Sequence, residues 1–221
     1  MVERQSAEIF LTQWNYYAKV KWMHSSSVTQ SMKSNLNVTP IFSSFLGTGY
    51  LNVDHEKVMN WIHNQEISEE NQMKLTLDEE EMGDVYAEIS DLMNELHVNL
   101  GLSSRYKQEI YEGWVNTGWN WRFGVSHKHT NSTFVSVYYP YVEEPASAIE
   151  FLNPNPSLTW VFPSEESNNV VDNFSIYNSN RWRVEPKTGL IAIFPSWVEH
   201  YVLPFTGARY SIAINSRFAD K

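Results

Sequence analysis

The stretch LIAIFPSWVEHYVLPFTGARYSIAIN, residues 190–215, decides the fold class of this 221-residue chain. It contains short runs rich in apolar residues at Leu190–Phe194, His200–Leu203 and Arg209–Asn215, and turn residues such as Pro204-Phe205-Thr206-Gly207 separate them. Short apolar or alternating runs bounded by proline, glycine and asparagine are typical of β-strands. We therefore predict three strands in this stretch.

The same pattern extends upstream to about residue 105. Further strands are predicted at Ile110–Asn116, Arg122–His127, Thr133–Tyr139, Ala148–Leu152, Ser157–Phe162 and Trp182–Val184. A series of short strands with regular turns is typical of a jelly roll, also called a double-stranded β-helix.

Helical patterns precede the strands. Asp54 is a predicted N-cap for one helix, and Gln65–Lys74 is polar enough to predict a loop. A longer helix is predicted from Asp78 to about Leu100, because apolar residues recur there at spacings of three and four. Its acidic start suits the positive end of a helix, and Gly101 is a plausible stop.

These patterns predict a mainly β fold with N-terminal helices. Its core is a double-stranded β-helix (jelly roll, cupin-like), with helices packed on the outer face of one sheet. Residues 1–37 are predicted to form an extension or arm, residues 38–104 a helical preamble, and residues 105–221 the double-stranded β-helix domain. Residues 38–221 are expected to form one structural domain.

Composition narrows the functional classes. The net charge of −10 argues against general nucleic-acid binding, which needs a basic surface. The absence of cysteine excludes disulfides and thiolate metal sites. We found neither an apolar stretch of membrane-spanning length nor the features of a signal peptide, so we expect a cytoplasmic protein without membrane contact.

Three histidines are candidate metal ligands. His127 and His129 stand two apart at the end of a predicted strand, so their side chains are expected on one face. His200 begins a later strand that a rolled sheet can bring alongside. The four other histidines, His24, His55, His63 and His97, are predicted to be surface residues.

The last predicted strand strengthens this hypothesis. Its alternation places Tyr210, Ile212 and Ile214 on one face and Arg209, Ser211, Ala213 and Asn215 on the other. The first face suits packing against helices, whereas the second faces the interior of a rolled sheet. An interior arginine needs an anionic partner, and its fork of donors suits a carboxylate.

These segments resemble the iron(II)/2-oxoglutarate-dependent dioxygenase superfamily, and more narrowly an oxygenase group of phages and bacteria. The resemblance covers about residues 38–218. It rests on Trp114-Val115-Asn116, His127-Lys128-His129, Val137-Tyr138-Tyr139, Phe194-Pro195-Ser196-Trp197-Val198-Glu199-His200 and Arg209-Tyr210-Ser211, and on the opening segments Thr39–Phe42 and Val53–Lys57.

The resemblance implies a site with Fe(II), 2-oxoglutarate and O2. His127 and His200 would be two metal ligands, and His129 would stand where the superfamily has Asp or Glu. Arg209 and Ser211 would bind the distal carboxylate of 2-oxoglutarate. Tyr139 would contact the same co-substrate, with Tyr138 as the rival choice.

Further positions follow from the resemblance or from the composition. Asn116 would line the pocket, and Glu150 is a second candidate for the missing carboxylate ligand. Trp114, Trp119, Trp121 and Trp197 are candidates for apolar walls or for the core.

The implied function is hydroxylation of an unidentified substrate, with release of succinate and carbon dioxide. A three-histidine cupin-like dioxygenase without 2-oxoglutarate and a non-catalytic jelly roll remain as alternatives. A phage-encoded chain would work in the host cytoplasm. Apart from the substrate, a second copy of the chain is the candidate partner.

Overall fold

Ten strands in two antiparallel sheets form most of the region that the computed structural model describes, which is residues 44–67, 72–118, 124–155, 157, 173–204 and 207–221. The larger sheet has the order β1-β8-β5-β10-β3-β2, and the smaller one has the order β4-β9-β6-β7. The strands are β1 (Gly47–Tyr50), β2 (Gln72–Lys74), β3 (Tyr106–Gly118), β4 (Gly124–His127), β5 (Phe134–Val142), β6 (Ile149–Leu152), β7 (Arg181–Val184), β8 (Leu190–Pro195), β9 (His200–Val202) and β10 (Arg209–Asp220).

Two α-helices precede the long strands. Helix α1 spans His55–His63, and the predicted N-cap is confirmed because Asp54 Oδ1 accepts the Lys57 N–H at 3.0 Å. Helix α2 spans Gly83–Asn99, so the predicted start at Asp78 is wrong. Residues 80–82 instead form a short 3-10 turn before it.

The end of α2 follows the prediction. Gly101 adopts a φ of +72°, a left-handed conformation that glycine takes without steric cost. Its N–H donates to the Val98 carbonyl at 2.9 Å, and the Leu102 N–H donates to the His97 carbonyl at 3.2 Å. These bonds cap two of the carbonyls that a helix end leaves without partners.

The two faces of the larger sheet bury separate cores. Ile212, Ile214 and Tyr138 pack with helix residues such as Ile62 and Ile89 on the outer face. The other face packs against the smaller sheet through a cluster that includes Val137, Tyr139, Phe151, Phe194 and Ala213. The predicted jelly roll with helices on one sheet is therefore confirmed, and so is the alternation predicted for β10.

The N-terminal half contains strands that the sequence did not reveal. Gln65–Lys74 is not wholly a loop, because β2 pairs with β3 in the register Gln72↔Asn116 and Lys74↔Trp114. Its polar residues suit a three-residue edge strand. Strand β1 was not predicted either.

One histidine lies in an environment opposite to the expected one. His97 is 2% exposed. Its buried ring is satisfied by two hydrogen bonds, one between Nε2 and the Ser103 carbonyl at 2.9 Å and one between Nδ1 and the Gln108 amide at 3.1 Å. The surface prediction for His97 is therefore wrong. His63 is exposed as predicted, whereas His55 is partly buried.

Some predictions fall outside the described residues. They concern residues 1–37, His24, the opening Thr39–Phe42, Arg122 and all but the first residue of Ser157–Phe162. Within the described ranges, no helix combines the length and apolar character that crossing a membrane would require.

Candidate metal and co-substrate site

The side chains of His127, His129 and His200 meet in space. Each offers a ring nitrogen, and these three nitrogens all lie within 4.8 Å of one another. The ring centroids of His127 and His200 are 4.4 Å apart, and those of His129 and His200 are 5.3 Å apart. A cluster of this size can present three ligand nitrogens to one metal ion.

Strand register explains how His127 and His200 meet. The two residues face each other across β4 and β9, but the pairing is irregular between His127 and Gly124, which faces Val202. Two residues of β4, Val125 and Ser126, therefore stand opposite the single residue Tyr201. This is the arrangement of a β-bulge, and such bulges re-aim side chains next to functional sites.

His129 reaches the cluster in a different way from the one predicted. Strand β4 ends at His127, so His129 lies beyond the strand and the two-residue period does not place it. Its backbone N–H donates to the Ser196 carbonyl at 3.0 Å, which ties this segment to the turn before His200.

Backbone carbonyls orient two of the rings. His127 Nδ1 lies 2.7 Å from the Val125 carbonyl, and His200 Nδ1 lies 3.0 Å from the Val198 carbonyl. A carbonyl only accepts, so each Nδ1 carries the hydrogen. In the neutral form of each ring, Nε2 is then left with a lone pair, which is how histidine binds a metal.

Burial favours the neutral imidazoles. It lowers the pKa of His200 to about 4, with a further lowering by His127 and His129 and an opposing backbone bond from Val198. Burial likewise lowers the pKa of His129 to about 4, and nearby His127 lowers it further, whereas Asn215 and Glu112 raise it. Both rings are therefore unprotonated at neutral pH.

A cavity of about 380 Å³ connects the histidines to Arg209. Arg209 is 6% exposed, and it donates through Nη2 to the Tyr139 hydroxyl at 3.2 Å. Its guanidinium carbon also lies 4.9 Å from the centre of the Tyr139 ring. Ser211, on the same face of β10, lines this cavity too.

A second irregularity in strand pairing separates the two candidate tyrosines. In the register of β10 with β5, Tyr210 faces Tyr141 and Ile212 faces Tyr138, so Tyr139 and Pro140 stand opposite Ser211 alone. Tyr139 therefore lies on the Arg209 side. Tyr138 lies on the helix side, where its hydroxyl is 2.6 Å from His55 Nδ1.

Glu150 lies on the other face of the smaller sheet. Its neighbour Phe151 faces His200 in the register, with ring centroids 5.9 Å apart. The Glu150 carboxylate is fully buried and accepts bonds from Arg183 and Tyr201, with Arg181 at 3.5 Å. Its carboxylate is therefore paired outside the histidine cluster and does not replace the missing acidic ligand. Within the described parts of the chain, the metal-binding group consists of the three histidines.

The cavity wall combines expected and unexpected residues. Asn116 and Trp114 line it, in keeping with the sequence, whereas Trp197 is 49% exposed and is not part of the lining. Trp119 and Trp121 lie outside the described residues. The residues that sequence reasoning missed are Gln72, Thr117, Gly118, Gly124, Val125, Val137, Ile149 and Val202.

Comparisons with known proteins bear on the family and the fold of this chain. Residues 112–215 match the model of a family described as "Putative 2OG-Fe(II) oxygenase". A search of curated proteins gave no match. Among solved structures, a prolyl-4-hydroxylase from Pseudomonas putida has a TM-score of 0.53 at 14% identity, covering 78% of this chain and 91% of the other.

Two further solved structures share the fold. A prolyl hydroxylase from Trichoplax adhaerens, in complex with a hypoxia inducible factor peptide fragment, has a TM-score of 0.51 at 14% identity and covers 79% of this chain and 83% of its own. The epimerase SnoN from nogalamycin biosynthesis, in complex with Fe3+, alpha ketoglutarate and nogalamycin RO, has a TM-score of 0.52 at 11% identity. The SnoN match covers 81% of this chain and 82% of the enzyme.

Proposed function

We propose that this chain, whose residues 112–215 belong to the 2OG-Fe(II) oxygenase family, is an iron(II)- and 2-oxoglutarate-dependent oxygenase that hydroxylates an unidentified substrate. The family uses iron(II), 2-oxoglutarate and O2. One observation carries the proposal. A single cavity joins three convergent imidazoles to a buried arginine, which are the two kinds of group that a metal and a dicarboxylate require.

The histidine cluster fits iron(II). Imidazole is a suitable ligand for this ion, and two of the three rings have Nδ1 bonded to a carbonyl, so that Nε2 is available. With His129 as the third ligand, the donor set carries no negative charge, unlike the common two-histidine, one-carboxylate set. When bound, iron and O2 would supply the oxidation of 2-oxoglutarate to succinate and carbon dioxide and of the substrate.

Arg209 and Ser211 are the proposed ligands of the co-substrate's distal carboxylate, and Tyr139 is a proposed further contact of the co-substrate. The guanidinium can donate two parallel N–H bonds to that group, and the Ser211 hydroxyl can add a third. Tyr139 holds Arg209 in place through its hydroxyl and its ring face. Such a pre-formed grip costs little ordering entropy when the ligand binds.

The remaining walls provide shelter and access. Trp114, Val137 and Ile149 give the cavity apolar sides, which exclude water from the reacting groups. Val125 is 72% exposed at the His127 end, so we expect the substrate to approach from this side.

The test is anaerobic titration of 2-oxoglutarate into the iron(II)-loaded protein, followed by a weak charge-transfer band in the visible. We expect a saturable band, and slow succinate release once oxygen is admitted. Arg217→Ala is a matched control, because Arg217 lies at the far end of β10 in an exposed ion pair with Glu109. Arg209→Ala should lose the band, whereas Arg217→Ala should keep it.

A second function is favoured because no carboxylate joins the three histidines among the residues that the structure describes. This alternative is a cupin-like dioxygenase, which would bind its metal through the three histidines and act without 2-oxoglutarate. Metal binding without any response to 2-oxoglutarate would support this alternative. A protein that takes up no metal at all would contradict both proposals and favour a non-catalytic role.

A further inference from the structure

The three clustered histidines differ in what holds their rings. His127 and His200 each bond a carbonyl two residues earlier in the chain. His129 lies outside the strands, and no backbone carbonyl holds its ring among the described residues. Its orientation therefore needs another partner, because a metal-binding histidine usually donates its second ring N–H to a neighbouring acceptor.

Asn215 lies where such an acceptor is needed. It shares the interior face of β10 with Ala213, which faces Trp114 across the sheet, and the Trp114 ring centroid is 6.3 Å from that of His129. A chain of backbone bonds also links the two regions. His129 N–H donates to Ser196, Ser196 N–H to Thr133, and Thr133 N–H to Ser216, the neighbour of Asn215.

The Asn215 side chain carries an acceptor oxygen that is available for a hydrogen bond. It is 2% exposed, and its Oδ1 has no hydrogen-bond partner among the described residues. A buried acceptor without a partner destabilises the fold and therefore requires an explanation. The Asn215 side chain also lies close enough to the His129 ring to raise its pKa.

We propose that Asn215 is the positioning residue of His129. Its Oδ1 accepts the Nδ1–H of the ring and thereby directs Nε2 to the ion. The inference rests on the proposed metal centre. It also gives the third ligand a side-chain partner in place of the backbone carbonyls that hold the other two, so metal affinity becomes sensitive to a residue on a different strand.

The experiment measures the affinity for cobalt(II) and its visible absorption spectrum in three variants of the full chain. Asn215→Leu preserves the volume but removes the acceptor. Asn215→Asp preserves both the shape and the acceptor. Ser136→Ala is the matched control, because Ser136 Oγ is also buried without a partner but faces Ile214 and Ile193 on the helix side of the larger sheet.

We expect Asn215→Leu to weaken cobalt binding by roughly 10- to 100-fold, the range found for partners of metal ligands, and to change the spectrum. Asn215→Asp should bind at least as tightly as the unaltered protein, and Ser136→Ala should bind equally well. Thermal unfolding of the metal-free proteins, compared across the three variants, separates lost positioning from lost folding.

Three outcomes would overturn the inference. If Asn215→Leu binds cobalt as well as the unaltered protein, Asn215 does not position His129. Equal weakening in Asn215→Leu and Asn215→Asp would mean that the acceptor is irrelevant. If the unaltered protein takes up no cobalt or iron, the proposed function fails together with this inference, whereas the first two outcomes leave that function intact.

Discussion

The two faces of the smaller sheet carry polar clusters of opposite character. On the inner face, His127 and His200 converge with His129, and within the described residues no carboxylate joins them. On the outer face, the neighbouring residues Glu150 and Tyr201 form a cluster with Arg183. One step along β9, from Tyr201 to His200, passes from one cluster to the other.

The two clusters differ in how far their polar and charged groups find bonding partners within the cluster. The Glu150 carboxylate is bonded by Arg183 and Tyr201, so its charge is matched within the fold. The rings of the three histidines line a cavity, and in His127 and His200 the nitrogen opposite the carbonyl-bound one is available to a ligand. A buried charge that is fully paired within the fold therefore indicates a structural cluster. Ring nitrogens that converge on a cavity and are available to a ligand indicate a binding site. The predictions below test this distinction.

The largest expected effect is on metal binding by His200→Ala. Loss of one ligand should weaken iron(II) or cobalt(II) binding by more than about 100-fold, since removing even an outer partner costs roughly 10- to 100-fold. Isothermal titration measures this. Tyr201→Phe, one residue away on the outer face, should leave metal affinity unchanged. Equal losses in both variants would abolish the distinction between the faces.

Glu150→Gln should reduce stability instead. Removing one partner of a buried ion pair leaves an uncompensated charge and costs about 3–5 kcal/mol in the free energy of unfolding. Urea denaturation of the metal-free protein measures this loss. Metal affinity of the folded variant should not change, and a large change would show that Glu150 participates in the site.

Arg209→Ala should weaken 2-oxoglutarate binding by about 2–4 kcal/mol, or roughly 30- to 700-fold. Metal affinity without the co-substrate should be retained. Arg209→Lys should recover only part of the loss, because an ammonium group lacks the guanidinium fork. Full recovery by lysine would argue against a bidentate grip.

The histidine face should also make the metal-free protein sensitive to acid. The pKa of His200 is lowered to about 4 in the fold, while an unfolded histidine titrates near 6.5. As pH falls from about 6.5 to 4, the unfolded chain binds a proton that the fold excludes, so stability decreases, by on the order of 3 kcal/mol. His200→Gln should remove this part of the slope, and an unchanged slope would contradict the assignment.

The smallest expected effect separates the two tyrosines. Tyr139→Phe should weaken 2-oxoglutarate binding by about 3- to 10-fold, because Arg209 loses a hydroxyl partner worth about 1 kcal/mol. Tyr138→Phe should leave that binding unchanged and cost about 1 kcal/mol of stability through its lost bond to His55. The reverse pattern would place Tyr138 at the site.

Local patterns predicted most of the barrel. The alternation of β10 correctly separated Ile212 and Ile214 from the interior Arg209, because the period of a strand is a local property. The predicted cap at Asp54 and stop at Gly101 are local in the same sense.

The features that could not be predicted from the sequence depend on contacts between residues far apart in the chain. Gln72 lines the cavity only because β2 pairs with β3, and its polar segment gives no sign of a strand. His97 is buried because Gln108 and Ser103 satisfy its ring. Choosing between Tyr138 and Tyr139 needed the position of a bulge, which one sequence does not specify.

The bulge in β4 has a consequence for changes in chain length. Between Gly124 and His127 the strand has one residue more than β9 has between Val202 and His200. Loss of Val125 or Ser126 alone would therefore leave a regular pairing in which His127 still faces His200, whereas loss of both would not. Alignments of relatives should be anchored at the histidines, and a one-residue gap here indicates loss of the bulge rather than a change of metal ligand.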